Sequence, residues 1–230
     1  MNIIEPFDDQ LYLALSVIQE NRKDIPAEEV EKVISVLNKN PFLPPSEMSM
    51  DMRKNWRPFN LDELAKNLGD KLESIVWLRA NGSPGWSGSF SKNPVQNTLN
   101  LNLLPVFFQN DWLPKFREYI RELTFGFNEF TITVASADQD TISDFYLEND
   151  LNPLPLQIGM YLSWYSLVPE KQYSKYYSKE VLLNAPFYHV EAFEDGTIEM
   201  IIHPDPFKAY EESYAKTVIE VSKYLDKNRM

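Results

Sequence analysis

Apolar positions along this chain switch between two periods, and the switch sets the elements to expect. Phe7, Leu11, Leu15 and Ile18 recur at helical spacing and predict a first helix. Pro26-Ala27-Glu28-Glu29 opens a second, carrying Val30, Val33, Ile34 and Leu37, with acids in the first turn that complement the helix dipole. Pro41–Pro58 holds four of the sixteen prolines, three Met and a Trp, and reads as an irregular connector that packs onto something. Asn60 then caps a helix carrying Leu61, Leu64, Leu68 and Leu72, with Glu63 placed as in a capping box.

From Ser74 the period becomes two. Ser74–Ala80, Trp86–Phe90 and Thr98–Leu103 read as strands, the last with Leu99, Leu101 and Leu103 alternating against Asn100 and Asn102, as in an antiparallel sheet with one wet face. Asp111–Phe125 returns to the helical period through Trp112, Phe116, Tyr119, Ile120 and Leu123, and strands follow at Phe130–Ala135 and Gln157–Ser163. Tyr188–Glu194 and Thr197–Ile202 flank Asp195-Gly196, a strong hairpin signal. Phe207–Asp226 closes the pattern as an amphipathic helix with Phe207, Tyr210, Tyr214, Val218, Val221 and Leu225 on one stripe. Helices come first, strands cluster in the middle and no strand–helix–strand rhythm recurs. The expectation is an α+β fold: a central, mainly antiparallel sheet flanked by helices, with an N-terminal helical segment and a long C-terminal helix. The 230 residues form one domain in this reading, with residues 1–58 as helical segment and connector and 59–230 as the core.

Composition narrows the function classes. The chain has no Cys, which removes disulfides, thiolate nucleophiles and cysteine-held metals. With 34 Asp+Glu against 22 Lys+Arg the net charge is -12, a field that repels phosphate backbones and anionic lipid and suits a basic protein partner. The start lacks a basic leader region, and no apolar stretch approaches the roughly 18 residues that span a bilayer, so a cytoplasmic protein is expected.

The search for chemistry returns little. The seven glycines never fall in dinucleotide-binding or Walker spacing, and no zinc-protease, serine-hydrolase or kinase signature is present. Ser83 and Ser87 sit among small residues with no local base, so Gly82–Ser89 reads as a hairpin loop with Trp86 tucked under it. A two-residue turn at Asp195-Gly196 would set Glu191 opposite Met200, Glu199 opposite Ala192, His189 opposite Ile202 and His203 opposite Tyr188. That register puts the two histidines on opposite faces, and likewise Glu191 and Glu199, so neither a paired-histidine metal site nor a carboxylate pair for hydrolysis is expected. No cofactor or metal is expected either, and no catalytic residue. Asp138, Asp140, Asp144, Glu148 and Asp150 fit no calcium loop and read as a solvated or partner-binding face. Tyr173, Tyr176 and Tyr177, interleaved with Lys171, Lys175 and Lys179, are candidate interface aromatics that should not be wholly buried.

Gly159-Met160-Tyr161-Leu162-Ser163, Val190-Glu191-Ala192-Phe193-Glu194-Asp195-Gly196-Thr197-Ile198, Pro204-Asp205-Pro206-Phe207 and Trp77-Leu78-Arg79-Ala80-Asn81-Gly82 together resemble the immunity protein 52 family of bacterial polymorphic-toxin and type VI secretion systems. The likeness runs from about Leu61 to Leu225. It implies a non-enzymatic protein that neutralises a cognate toxin, often a nuclease, in a one-to-one complex, and it carries no catalytic residues to transfer. Two further readings stand beside it: an acidic DNA mimic of anti-restriction type, and a hydrolase with an unrecognised carboxylate site.

Overall fold

The computed structural model describes residues 13–20, 25–39, 44–70, 73–81, 86–103, 112–136, 149, 151, 162–208 and 211–230. Among these described residues ten strands form one antiparallel sheet: β1 (Leu13–Glu20), β2 (Glu47–Ser49), β3 (Arg57–Pro58), β4 (Ser74–Ala80), β5 (Trp86–Lys92), β6 (Gln96–Leu103), β7 (Ile132–Ser136), β8 (Tyr165–Val168), β9 (His189–Ala192) and β10 (Ile198–Ile201), in spatial order β3-β2-β4-β5-β6-β1-β7-β8-β10-β9. The helices are α1 (Ala27–Leu37), α2 (Leu61–Asp70), α3 (Trp112–Phe125), the short α4 (Glu170–Tyr173) and α5 (Lys179–Leu183), and α6 (Glu212–Lys227). The fold is α+β, as the periodicity predicts.

One expectation is corrected at the start of the chain. The first predicted helix is, over the described residues, strand β1, which lies between β6 and β7 in the middle of the sheet. Leu13, Leu15 and Val17 alternate onto one buried face. The spacing of Leu15 to Ile18 mimics a helical turn, yet Ile18 points to the other face and is buried there too. The described part of residues 1–58 is therefore not helical alone: α1 is where it was predicted, while β1 and the edge strands β2 and β3, cut from the proline-rich connector, belong to the common sheet.

Elsewhere the elements form for the reasons the sequence offers. Asn60 Oδ1 accepts the Glu63 backbone N–H (2.9 Å) as the N-cap of α2. The Glu63 side chain turns instead to Arg57 (2.8 Å), so only half of the capping box is made. At the other end of α2 the buried Lys92 ammonium donates to Leu68 O (2.8 Å), satisfying a carbonyl that the helix leaves unpaired. Trp86 is buried at the head of β5 as expected. A strand was predicted at Gln157–Ser163; residues 157–161 lie outside the described residues, and the described strand of this region is Tyr165–Val168, every residue of it buried.

Polar side-chain bonds mark the helix-covered face of the sheet: Gln19 to Glu29 of α1 (3.4 Å), Lys92 to α2, and Thr133 with Thr124 of α3 (2.9 Å). Register carries that face across to Leu167, Glu199 and Glu191, and to Tyr165, Ile201 and His189. On the opposite face of the same strands Val134, Ser166, Ile198 and Met200 are buried as well, and α6 adds Tyr214, Val218, Val221 and Leu225 to the common core.

Candidate functional site

The site of interest follows from one turn. Gly196 takes φ +85° and its N–H donates to Phe193 O (3.0 Å), while the Phe193 N–H donates to Thr197 O (2.8 Å). The loop is Glu194-Asp195-Gly196, a turn closed by a left-handed glycine, rather than the two-residue loop expected from Asp-Gly. Asp195 Oδ1 accepts the Thr197 N–H (2.9 Å) and holds it. One extra loop residue shifts the ladder by one, so Glu191 pairs with Glu199 and His189 with Ile201. Such a slip reverses every side chain. The expectation that Glu191 and Glu199 lie on opposite faces is overturned: both point at α3, and His189 joins them.

α3 meets them with Arg117 and Arg121, four residues apart and so on one face of the helix. Glu199 is fully buried (0% exposed) and takes most of the bonds. It accepts from Arg117 Nε (2.7 Å), from Arg121 Nε (3.2 Å) and Nη2 (3.0 Å), and from the Tyr165 hydroxyl (2.8 Å). Glu191, 44% exposed, accepts from Arg117 Nη2 (2.6 Å) and Arg121 Nη2 (2.9 Å). Arg117 Nη2 also lies 2.7 Å from His189 Nε2. Arg121 stacks over Phe193, 4.3 Å from its centroid, and Phe116 packs edge-on against Tyr165.

The electrostatics follow the bonds. Burial alone would push the Glu191 carboxyl up, but the charges of Arg121 and Arg117 outweigh it and hold it below the ordinary carboxylate range. Burial raises the Tyr165 phenol well above its ordinary value, and the Glu199 carboxylate raises it further. For Arg121 the desolvation that would lower its value is outweighed by the bond and charge of Glu199. Two carboxylates and two guanidiniums therefore cancel inside a shared network, and that network ties α3 to β8, β9 and β10.

The donor atoms of His189, Glu191 and Glu199 lie within 4.8 Å of one another, a spacing that could hold a metal ion. Arg117 Nη2 stands 2.6 Å from Glu191 Oε2, 2.5 Å from Glu199 Oε2 and 2.7 Å from His189 Nε2, where the ion would have to sit. A divalent cation would have to expel one guanidinium and tolerate the other, so the residues present do not fit a metal. A general acid needs a raised carboxyl pKa, and Glu191 is shifted the other way.

The other predicted site residues divide. Asp138, Asp140, Asp144, Glu148 and Asp150 lie outside the described residues. Tyr173 and Tyr177 are buried, so their rings belong to the core and cannot meet a partner; the Tyr173 hydroxyl donates to Gly196 O (3.1 Å) and braces the hairpin turn from beneath. Tyr176 is half-buried, with the Arg229 guanidinium 5.8 Å from its ring centroid, and alone of the three keeps surface. Sequence reasoning missed Arg117, Arg121 and Tyr165. The available signal was two arginines at i and i+4 directly beside the apolar Phe116 and Ile120, a pattern that reads equally well as a solvated flank.

No protein-family model matches the chain, and no curated protein sequence matches it. Among solved structures the chain is similar to the Pseudomonas aeruginosa T6SS protein PA0821, with TM-score 0.60 and 10% identity over 96% of this chain and 75% of that one. The shared property at that identity is the fold.

Proposed function

We propose that this chain is a cytoplasmic, non-catalytic immunity protein that neutralises a cognate bacterial toxin by a tight non-covalent complex. The observation that carries the reading is the likeness of fold to a T6SS protein across nearly the whole chain. Three further features support it. The net charge of -12 steers the protein toward a basic surface, and a nuclease, which must hold phosphates, has such a surface at its cleft. The cluster richest in catalytic residue types has every carboxylate committed to arginine. The acidic block from Asp138 to Asp150 adds steering charge, which acts mainly on association rate.

The test is co-expression with the product of the gene adjacent to this one. That product alone should arrest growth, this chain should restore it, and the two should co-purify at one-to-one stoichiometry. Growth arrest that this chain does not relieve, or relief without any complex, would refute the proposal. Hydrolase turnover that disappears in Glu191→Gln would replace it with an enzymatic reading.

A further inference from the structure

The two edges of the sheet differ in kind. At one end β3 is two residues long and contains Pro58, which has no N–H to offer, and Arg57 beside it is held by Glu63 (2.8 Å). That is an edge blunted against further pairing. At the other end β9 runs four residues without proline. Because the Phe193 N–H bonds Thr197 O, alternate residues Glu191 and His189 turn their backbone groups toward β10. Val190 and Ala192 therefore turn theirs outward, and among the described residues no strand pairs with that side.

β9 is also held rigid. Arg117 and Arg121 clamp Glu191, Arg117 contacts His189, and Arg121 covers Phe193. Two apolar groups nearby are exposed: Tyr188 (55%), directly before β9, and Leu183 (38%), the last residue of α5, the helix that contacts β9. Glu194 and Asp195 are exposed at the turn, while the charges of Glu191 and Glu199 are met by Arg117 and Arg121.

We propose that the open edge of β9 is a docking strand, on which an extended segment of a partner protein bearing Lys or Arg adds to the sheet through the N–H and C=O groups of Val190 and Ala192. The identification of that partner as a toxin rests on the function proposed above; the docking surface rests on the edge itself. Main-chain bonds supply affinity in this mode, and side chains along the strand supply selectivity. The acids at the turn favour a basic strand, and they disfavour a second copy of this chain, which would bring -12 against -12.

Val190→Pro removes one outward N–H and breaks no bond of the β9–β10 ladder, since proline is tolerated on the unpaired side of an edge strand. Backbone-amide NMR with a capped nonapeptide of alternating Lys and Val, and with the matching Glu–Val peptide, tests the surface without the toxin. The Lys–Val peptide should shift the Val190 and Ala192 signals, and V190P should weaken it at least about tenfold with an unchanged circular dichroism spectrum. E194K, which leaves the backbone alone, should narrow the preference for Lys–Val over Glu–Val. Equal binding of both peptides, or the same affinity in V190P and E194K as in the parent, would overturn the proposal, as would a parent dimer that V190P converts to monomer. In the co-purification arm, a toxin complex indifferent to V190P removes this surface and leaves the function standing. Docking of the Lys–Val peptide on β9 without any toxin complex supports the surface and removes the toxin reading.

Discussion

Replacing Glu199 by Gln is the most direct trial of the arginine–carboxylate network. The substitution keeps size and shape, and an amide oxygen can still accept the Tyr165 hydroxyl now 2.8 Å away. It removes the charge that faces Arg117 and Arg121, whose side chains are only 20% and 27% exposed. Unpairing a buried ion pair costs about 3–5 kcal/mol. Glu191 remains as counter-ion to both arginines, which points to the lower end, about 3 kcal/mol. Against a total stability of about 5–15 kcal/mol this is a large fraction. It corresponds to a fall in melting temperature of about 6–12 °C for a chain of this length. Urea unfolding with an unchanged m-value, paired with calorimetry, measures it. The double variant with Arg117→Met should lose less than the sum of the two single losses, by about 0.5–3 kcal/mol. A loss below about 1 kcal/mol, the range of exposed pairs, would show that the network is solvated and that α3 is held to the sheet by its apolar face alone.

Three other outcomes follow from local geometry. Met52 and Arg53 sit at φ 56° and 66°, left-handed positions usually given to Gly or Asn, and Met52 is 82% exposed, so Met52→Asn should raise stability by about 0.5–1 kcal/mol in urea titration. Gly196→Ala should lower it by about 1–2 kcal/mol, because φ +85° is costly for alanine and the new methyl would stand 3.2 Å from the Glu170 Cβ. The Glu191 carboxyl is held below its ordinary 4.5, so the stability it contributes is complete above that pH and falls away as the pH drops below it. The difference in melting temperature between parent and Glu191→Gln should accordingly shrink in acid, and a difference that grows there would reverse the sign of the argument.

Much of the architecture was legible in single-residue alternation. Leu99, Leu101 and Leu103 alternate with polar neighbours, and β6 is buried and half-buried in that same alternation. α1, α2, α3 and α6 sit where leucines, valines and aromatics recur every third or fourth residue, and Asn60 caps α2 as its place in the sequence suggests. β1 was misread because Leu11, Leu15 and Ile18 satisfy a helical spacing while Leu13, Leu15 and Val17 satisfy a strand's. Only a place between two neighbouring strands, a tertiary fact, separates those readings. β8 escaped notice because a strand buried on both faces shows no alternation. The candidate site was hidden by a single loop residue: Asp195-Gly196 suits a two-residue turn and equally a three-residue loop ending in glycine, and the two options put Glu191 and Glu199 on opposite faces or together.

The central position of β1 bears on the order in which the molecule can be assembled. Its two neighbours, β6 and β7, lie far downstream, so the strand emerges from the ribosome long before either partner exists. Until β6 has been made the stretch Leu13–Ile18 has no strand to pair with, and until β7 has been made its other flank presents unpaired main chain to the surroundings. Such non-local closure slows folding and exposes intermediates to aggregation. The sheet can be completed only when a ribbon growing from β4 through β6 and a second unit built on β7, β8 and β10 both find the waiting first strand. Yield of the native protein should therefore respond to synthesis rate, temperature and chaperone supply more steeply than its final stability would suggest.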